Sequence, residues 1–164
     1  MKLILVSMMA CMLFFSCRNQ TSEIKKLQSR VDSLEQKVKN SYVPGFGEFM
    51  SGIQSHHAKL WFAGINENWE LADFEIHEIM ENIDDIKKFE TDRRESQSIP
   101  MIEPALDSVN VAIQNKNINQ FKNSFVLLTN TCNTCHRDVN FSFNDVKIPD
   151  SPPFSNQVFK KVIN

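Results

Sequence analysis

Cys132-Asn133-Thr134-Cys135-His136 constrains this chain more than any other stretch. Two thiols three residues apart, followed at once by an imidazole, match the attachment signature of a single c-type haem. Each cysteine can form a thioether to one former vinyl group of the porphyrin, and the histidine then lies under the ring where it can bind iron. A closed zinc site normally takes four protein ligands, and only three are gathered here. A thioredoxin-like pair should open a helix after a strand, whereas this pair closes a helical stretch. Ile118, Phe121, Phe125, Leu128, Cys132 and Cys135 recur at helical spacing, so the cysteines continue an apolar stripe. A porphyrin attached there must enter the core of a helical domain.

The rest of the chain is read from that requirement. Four glycines, six prolines and few alternating patterns point to an all-α fold. A first helix from about Glu48 to Asn66 carries Phe49, Met50, Ile53, His57, Leu60 and Trp61 on or near one face. A second, from about Glu67 to Glu90, has a clean seam of Ala72, Ile76, Ile79, Ile83 and Ile86. Between Glu67 and Ser98 there are eleven acidic against four basic residues, which reads as a solvated helix face. A polar loop over Arg93 to Pro100 leads to a third helix at about Met101 to Asn115, with Pro104 tolerated in its first turn. The fourth helix starts at Asn117 or Asn119, either of which can cap it.

The N-terminal part has a different character. Lys2 precedes an apolar run, Leu3 to Phe15, that stops at Ser16-Cys17. It is shorter than the ~20 residues a spanning helix needs and reads as a secretory signal. Phe14-Phe15-Ser16-Cys17 resembles the bacterial lipoprotein cleavage box, which makes Cys17 the candidate lipidation site. Cys11 leaves with the signal, so no disulfide remains to propose. From Thr21 to Asn40, Ile24, Leu27, Val31, Leu34 and Val38 alternate at three and four residues as a short heptad seam. It serves either a homo-oligomer through residues 21–40 or a spacer between anchor and domain. The expected organisation is a signal over 1–16, a linker with the heptad helix over 17–44, a haem domain over 45–140, and an extended tail over 141–164. The net charge of −2 gives no basic footprint for nucleic acid.

Four amphipathic helices with Cys-x-x-Cys-His near the end of the last resemble the cytochrome c′ superfamily of four-helix-bundle haem proteins, closest to its low-spin branch with a methionine sixth ligand. The likeness covers about Gly45 to Asn140. Met50 to Asp73, containing His57-Ala58-Lys59-Leu60-Trp61 and Asn68-Trp69-Glu70-Leu71-Ala72, is also similar to a group of exported bacterial cytochromes. The resemblance implies an antiparallel up-down-up-down bundle with one covalent haem c at one end. The low-spin relatives place their methionine in the turn that Met50 occupies. Where the family commonly has an aromatic residue followed by arginine or lysine, this chain has Val139 and Asn140.

In such a bundle the start of the first helix and the end of the fourth lie at the same end, so Met50 and His136 meet as axial ligands. His57 lies seven residues on, about 10 Å deeper, and reads with His56 as a histidine satisfied by hydrogen bonds. Met101 is the rival ligand. Phe49, Ile53 and Leu128 are the expected haem-pocket walls. The tail, with Phe143, Pro149, Pro152, Pro153, Phe154 and Phe159, is expected to run extended and shield a haem edge. Two functions follow: a one-electron carrier without enzymatic chemistry, serving redox partner proteins on the periplasmic side of a bacterial membrane, or a five-coordinate gas-binding protein in which Phe46, Phe49 and Ile53 line an open site. A structural or partner-recruiting haem lipoprotein is the third alternative.

Overall fold

Asparagine punctuates the helices of this chain. The computed structural model describes residues 21–38 and 44–161, so the signal, Cys17 and the break at Tyr42-Val43 lie outside the described residues. Helix α1 spans residues 21–38, α2 spans Phe46–Ile65, α3 Trp69–Phe89, α4 Glu103–Gln114 and α5 Ile118–Asp138, with a 3-10 segment at Glu95–Ile102. No strand occurs among the described residues, and the fold is all-α as expected. The chain divides into residues 1–43 and 44–164.

Two of the connections use one device twice. After α2, Glu67 takes a left-handed φ of 54°, its N–H reaches Gly64 O and the Asn68 N–H reaches Ala63 O. After α4, Lys116 takes φ 50°, with the matching bonds to Ile113 O and Ala112 O. This pair of bonds satisfies the orphan carbonyls at a helix end. The residue that completes each cap, Asn68 or Asn117, then turns its side chain to accept from Leu71 N or Gln120 N and opens the next helix. The fourth helix therefore starts from Asn117. At the end of α5 the device recurs without a following helix: Asn140 has φ 67°, and Phe141 N–H donates to His136 O at 2.7 Å. That bond reverses the chain immediately after Cys132–His136.

Helices α2 and α3, α3 and α4, α4 and α5, and α5 and α2 pack in pairs, closing a ring of four. The seam expected for α3 is its buried face, and Leu60, Ala63, Leu106, Val109, Phe121 and Phe125 join it in the core. Trp61 stacks on Phe121 and packs tilted against Phe125, and Trp69 meets Phe121 edge-on. The acidic run is less uniform than its composition implies. Glu75 is 1% exposed, and the ring of His56 hydrogen-bonds its carboxyl at 2.6 Å while Lys59 Nζ lies 3.8 Å away. Its neighbour Ile76 is on the seam, and a residue one place off a seam on a packed helix falls on the inner edge.

The polar loop expected over Arg93 to Pro100 is instead an ordered 3-10 segment. Ile99 and Ile102 are buried beneath it, and Ser96 Oγ–H donates to Glu90 O. Two apolar anchors three residues apart suit three residues per turn.

Residues 141–161 contain no regular helix. Ile148 packs on the core, Lys59 Nζ lies 5.4 Å over the Phe154 ring, and Phe159, 6% exposed, packs on Phe62 while its carbonyl accepts from Asn68 Nδ2. The tail thus stays on the protein from the end of α5 to the α2–α3 turn. In the separate N-terminal unit, Ile24, Leu27, Val31 and Leu34 of α1 are all exposed.

Candidate functional site

A cavity of about 270 Å³ opens between α2, the 3-10 segment, the end of α5 and the tail. From α2 it takes Phe46, Met50, Ile53 and His57, and from α5 Cys132, Cys135 and His136. The four α2 residues lie along one stripe over eleven residue steps, about 16 Å at 1.5 Å per residue. The space is therefore a long slot along α2.

Contacts fix how α2 and α5 face each other. His57 Nε2 lies 3.0 Å from Thr129 Oγ1, and Trp61 packs on Phe125 at 4.9 Å between centroids. Numbers rise on one helix as they fall on the other, so the two run in opposite directions. Both pairs sum to the same number, and the pair Met50 and His136 shares that sum. Continuing the register by two turns brings Met50 level with His136. Met50 is the one described methionine that lines the cavity; Met80 packs against the core and Met101 is exposed.

His136 is held in a defined state. Its Nδ1 lies 2.6 Å from the Asn144 carbonyl oxygen, which can only accept, so Nδ1 carries the proton. In the neutral ring Nε2 then has a free lone pair. This is how ligating histidines are usually arranged, with the second nitrogen donating to a carbonyl.

Burial pushes the Cys132 thiol up to about 12, with a smaller contribution from neighbouring Cys135, and burial likewise raises Cys135. Both sulfurs are protonated at neutral pH. That disfavours a reactive dithiol, which needs an ionised thiol. A thioether carries no charge and suits the same burial. Among the described residues no group of three or more histidine, cysteine, aspartate or glutamate side chains is gathered to hold a metal ion alone. The cavity lining is mainly apolar, as a macrocycle held through two sulfurs and one imidazole requires.

His57 closes the inner end. The Thr129 hydroxyl donates to Phe125 O at 2.9 Å, so it accepts from His57 Nε2–H, and the His57 ring lies 4.5 Å from Phe125. Burial lowers its pKa from 6.5 to about 4. The hydrogen bond fits the sequence expectation, while the cavity reaches further along α2 than that expectation allowed. In the unfolded chain the imidazole protonates near its ordinary value. The stability associated with neutral His57 is complete above pH 6.5 and is lost as pH falls toward 4, by roughly 3 kcal/mol. Urea titrations between pH 7.5 and 4 should show this slope in the wild type and a flatter one in His57→Gln, which cannot titrate; equal slopes would contradict it.

The three expected pocket walls are placed differently. Phe49 and Leu128 are buried in the helix–helix core, 6% and 1% exposed, and do not line the cavity; Ile53 does. Phe49 is one position from Met50, or about 100° around the helix, which turns it toward neighbouring helices. Sequence reasoning missed Val139, Phe141, Asn144 and Val146, which complete the wall from the tail side, and Glu95 and Ile99 from the 3-10 segment. The tail aromatics were the available signal. No protein-family model, curated protein or solved structure matches this chain.

Proposed function

We propose that this chain is an exported mono-haem c-type cytochrome that carries single electrons. Cys132 and Cys135 would hold the haem through thioethers, and His136 and Met50 would bind its iron. The observation that carries the reading is that these four side chains line one apolar cavity, with His136 Nε2 left free by the bond from Nδ1–H to Asn144 O. The bound group supplies an iron that cycles between ferric and ferrous states. The protein's own residues orient the imidazole, offer the thioether and keep water from one face, and none of them makes or breaks a bond. A thioether opposite histidine favours reduced iron and raises the potential.

The architecture belongs to the same proposal: α2 to α5 form an antiparallel up-down-up-down bundle of the cytochrome c′ kind, with the haem at the end where α2 begins and α5 ends. The tail shields one haem edge, which the positions of Phe141, Asn144 and Val146 in the cavity wall support. The run Leu3 to Phe15 and the box before Cys17 support export and a lipid anchor on the periplasmic side of a bacterial membrane. The exposed heptad residues of α1 serve an oligomer or a spacer.

Absorption spectra of the mature protein in both oxidation states, with and without carbon monoxide, test the reading. Low-spin spectra that resist carbon monoxide are expected, and the intact mass should include one haem and the diacyl group at Cys17. A high-spin spectrum with rapid carbon monoxide uptake would replace electron transfer by gas binding, with Phe46 and Ile53 as the wall. A mass without haem would remove the reading altogether.

A further inference from the structure

Asn133 is a spacer residue of the motif, with neither thiol nor imidazole, yet its side chain is fully engaged thirteen residues further on. Its Nδ2 donates to Val146 O at 2.7 Å, and its Oδ1 accepts from Val146 N–H at 2.7 Å. A carboxamide that meets both polar groups of one residue imitates a strand partner and fixes the position and direction of the tail there. The chain is pinned at the near side as well. Phe141 N–H donates to His136 O at 2.7 Å through the left-handed Asn140, and Asn144 N–H donates to Phe141 O at 2.9 Å. Between these two anchors lies the Asn144 carbonyl that receives the His136 Nδ1 proton at 2.6 Å.

A carbonyl in a surface loop would ordinarily exchange its partner with water, because a free loop pays ordering entropy for each contact it keeps. Here that entropy is already met by the bonds to either side. We infer that Asn133 is a positioning residue for His136: by clamping Val146 it holds the Asn144 carbonyl against Nδ1 and so fixes the nitrogen and the donor strength that the imidazole presents to iron. This rests on the haem reading above. The carbonyl draws on the Nδ1 proton and makes Nε2 the stronger donor, which stabilises the ferric state. The tail therefore sets the potential as well as covering the cavity. It also occupies the region where Val139 and Asn140 depart from the aromatic and basic pair of the resembling family.

The test uses full-length holoprotein and four variants. Asn133→Ala removes the clamp from the helix side, and Val146→Pro removes the Val146 N–H from the tail side. Both should raise the midpoint potential, and the double variant should add little, because the two changes break one device. Ser142→Ala, in the same tail segment but exposed and not lining the cavity, should leave the potential where it is. In the reduced wild type, which is diamagnetic when low-spin, the His136 Nδ1 proton should exchange slowly, and this measurement needs no variant. A potential unmoved by Asn133→Ala or Val146→Pro with haem retained, a shift in Ser142→Ala as large as theirs, or a rapidly exchanging Nδ1 proton would each overturn the inference and leave the haem reading intact. A wild type without covalent haem would overturn both.

Discussion

Under the proposed haem reading, replacing Met50 by alanine should convert a low-spin protein into a high-spin form that takes up carbon monoxide rapidly and has a lower midpoint potential. The direction follows from the ligand chemistry, since a thioether opposite histidine stabilises ferrous iron and its removal withdraws that stabilisation. The choice of Met50 follows from the fold. His57 bonds Thr129, Trp61 packs on Phe125, and the register they set brings Met50 level with His136 in the same cavity. No other described methionine lines that cavity, and His57 is committed through Nε2 to Thr129 at its far end. Met50 is only partly buried, so truncation should cost about 1 kcal/mol of stability, and the variant should remain folded for spectroscopy. Absorption spectra and carbon monoxide titration of wild type and variant side by side decide the matter. Identical low-spin spectra would assign the sixth position to another side chain, and identical high-spin spectra would return Met50 to packing in an open gas site.

The parts of this protein that repeat along a helix were readable from the sequence. Ile76, Ile79, Ile83 and Ile86 announce a seam, and Phe121, Phe125, Leu128 and Cys132 carry the apolar stripe of α5 toward the motif. Periodicity gives a face but not its width. Met50 and Phe49 are one residue apart; one lines the cavity and the other enters the core. Leu128 and Cys132 are one turn apart with the same outcome. A rotation of one position decides between core and cavity, and only the packing of all four helices sets it.

The helix ends were obscured for another reason. Left-handed caps are usually glycine, but here Glu67, Lys116 and Asn140 occupy them, and none of the four glycines does. A non-glycine residue in that region carries strain of roughly 1 kcal/mol, repaid by two carbonyls capped per helix end. The tail was legible only as aromatic and proline-rich. Its course depends on bonds such as Asn133 to Val146 and Asn68 to Phe159, thirteen and ninety-one residues apart, which no local pattern encodes.

Gly64→Ala should lower the stability of the helical domain by about 2 kcal/mol, although alanine is ordinarily the better helix former. Gly64 is interior to α2, where glycine costs about 1 kcal/mol relative to alanine. It faces Phe121, and a Cβ built there would penetrate the phenyl ring. That ring is 0% exposed and wedged among Trp61, Trp69 and Phe125, so it has no free direction in which to move. Overpacking of a filled core costs typically 1–3 kcal/mol, and the absence of any escape places this case at or above the upper end, which exceeds the gain in helix propensity. The displacement also has a path to the slot: Phe121 presses on Phe125, Phe125 lies against His57, and His57 closes the inner end of the cavity. Urea unfolding should therefore show a lower midpoint, and the haem spectrum should shift with it. Phe121→Leu in the same chain removes the opposing ring, so the double variant should be more stable than the sum of the single effects predicts. Additive losses would mean that the close approach of α2 to α5 at Gly64 does not set the register on which the pairing of Met50 with His136 depends.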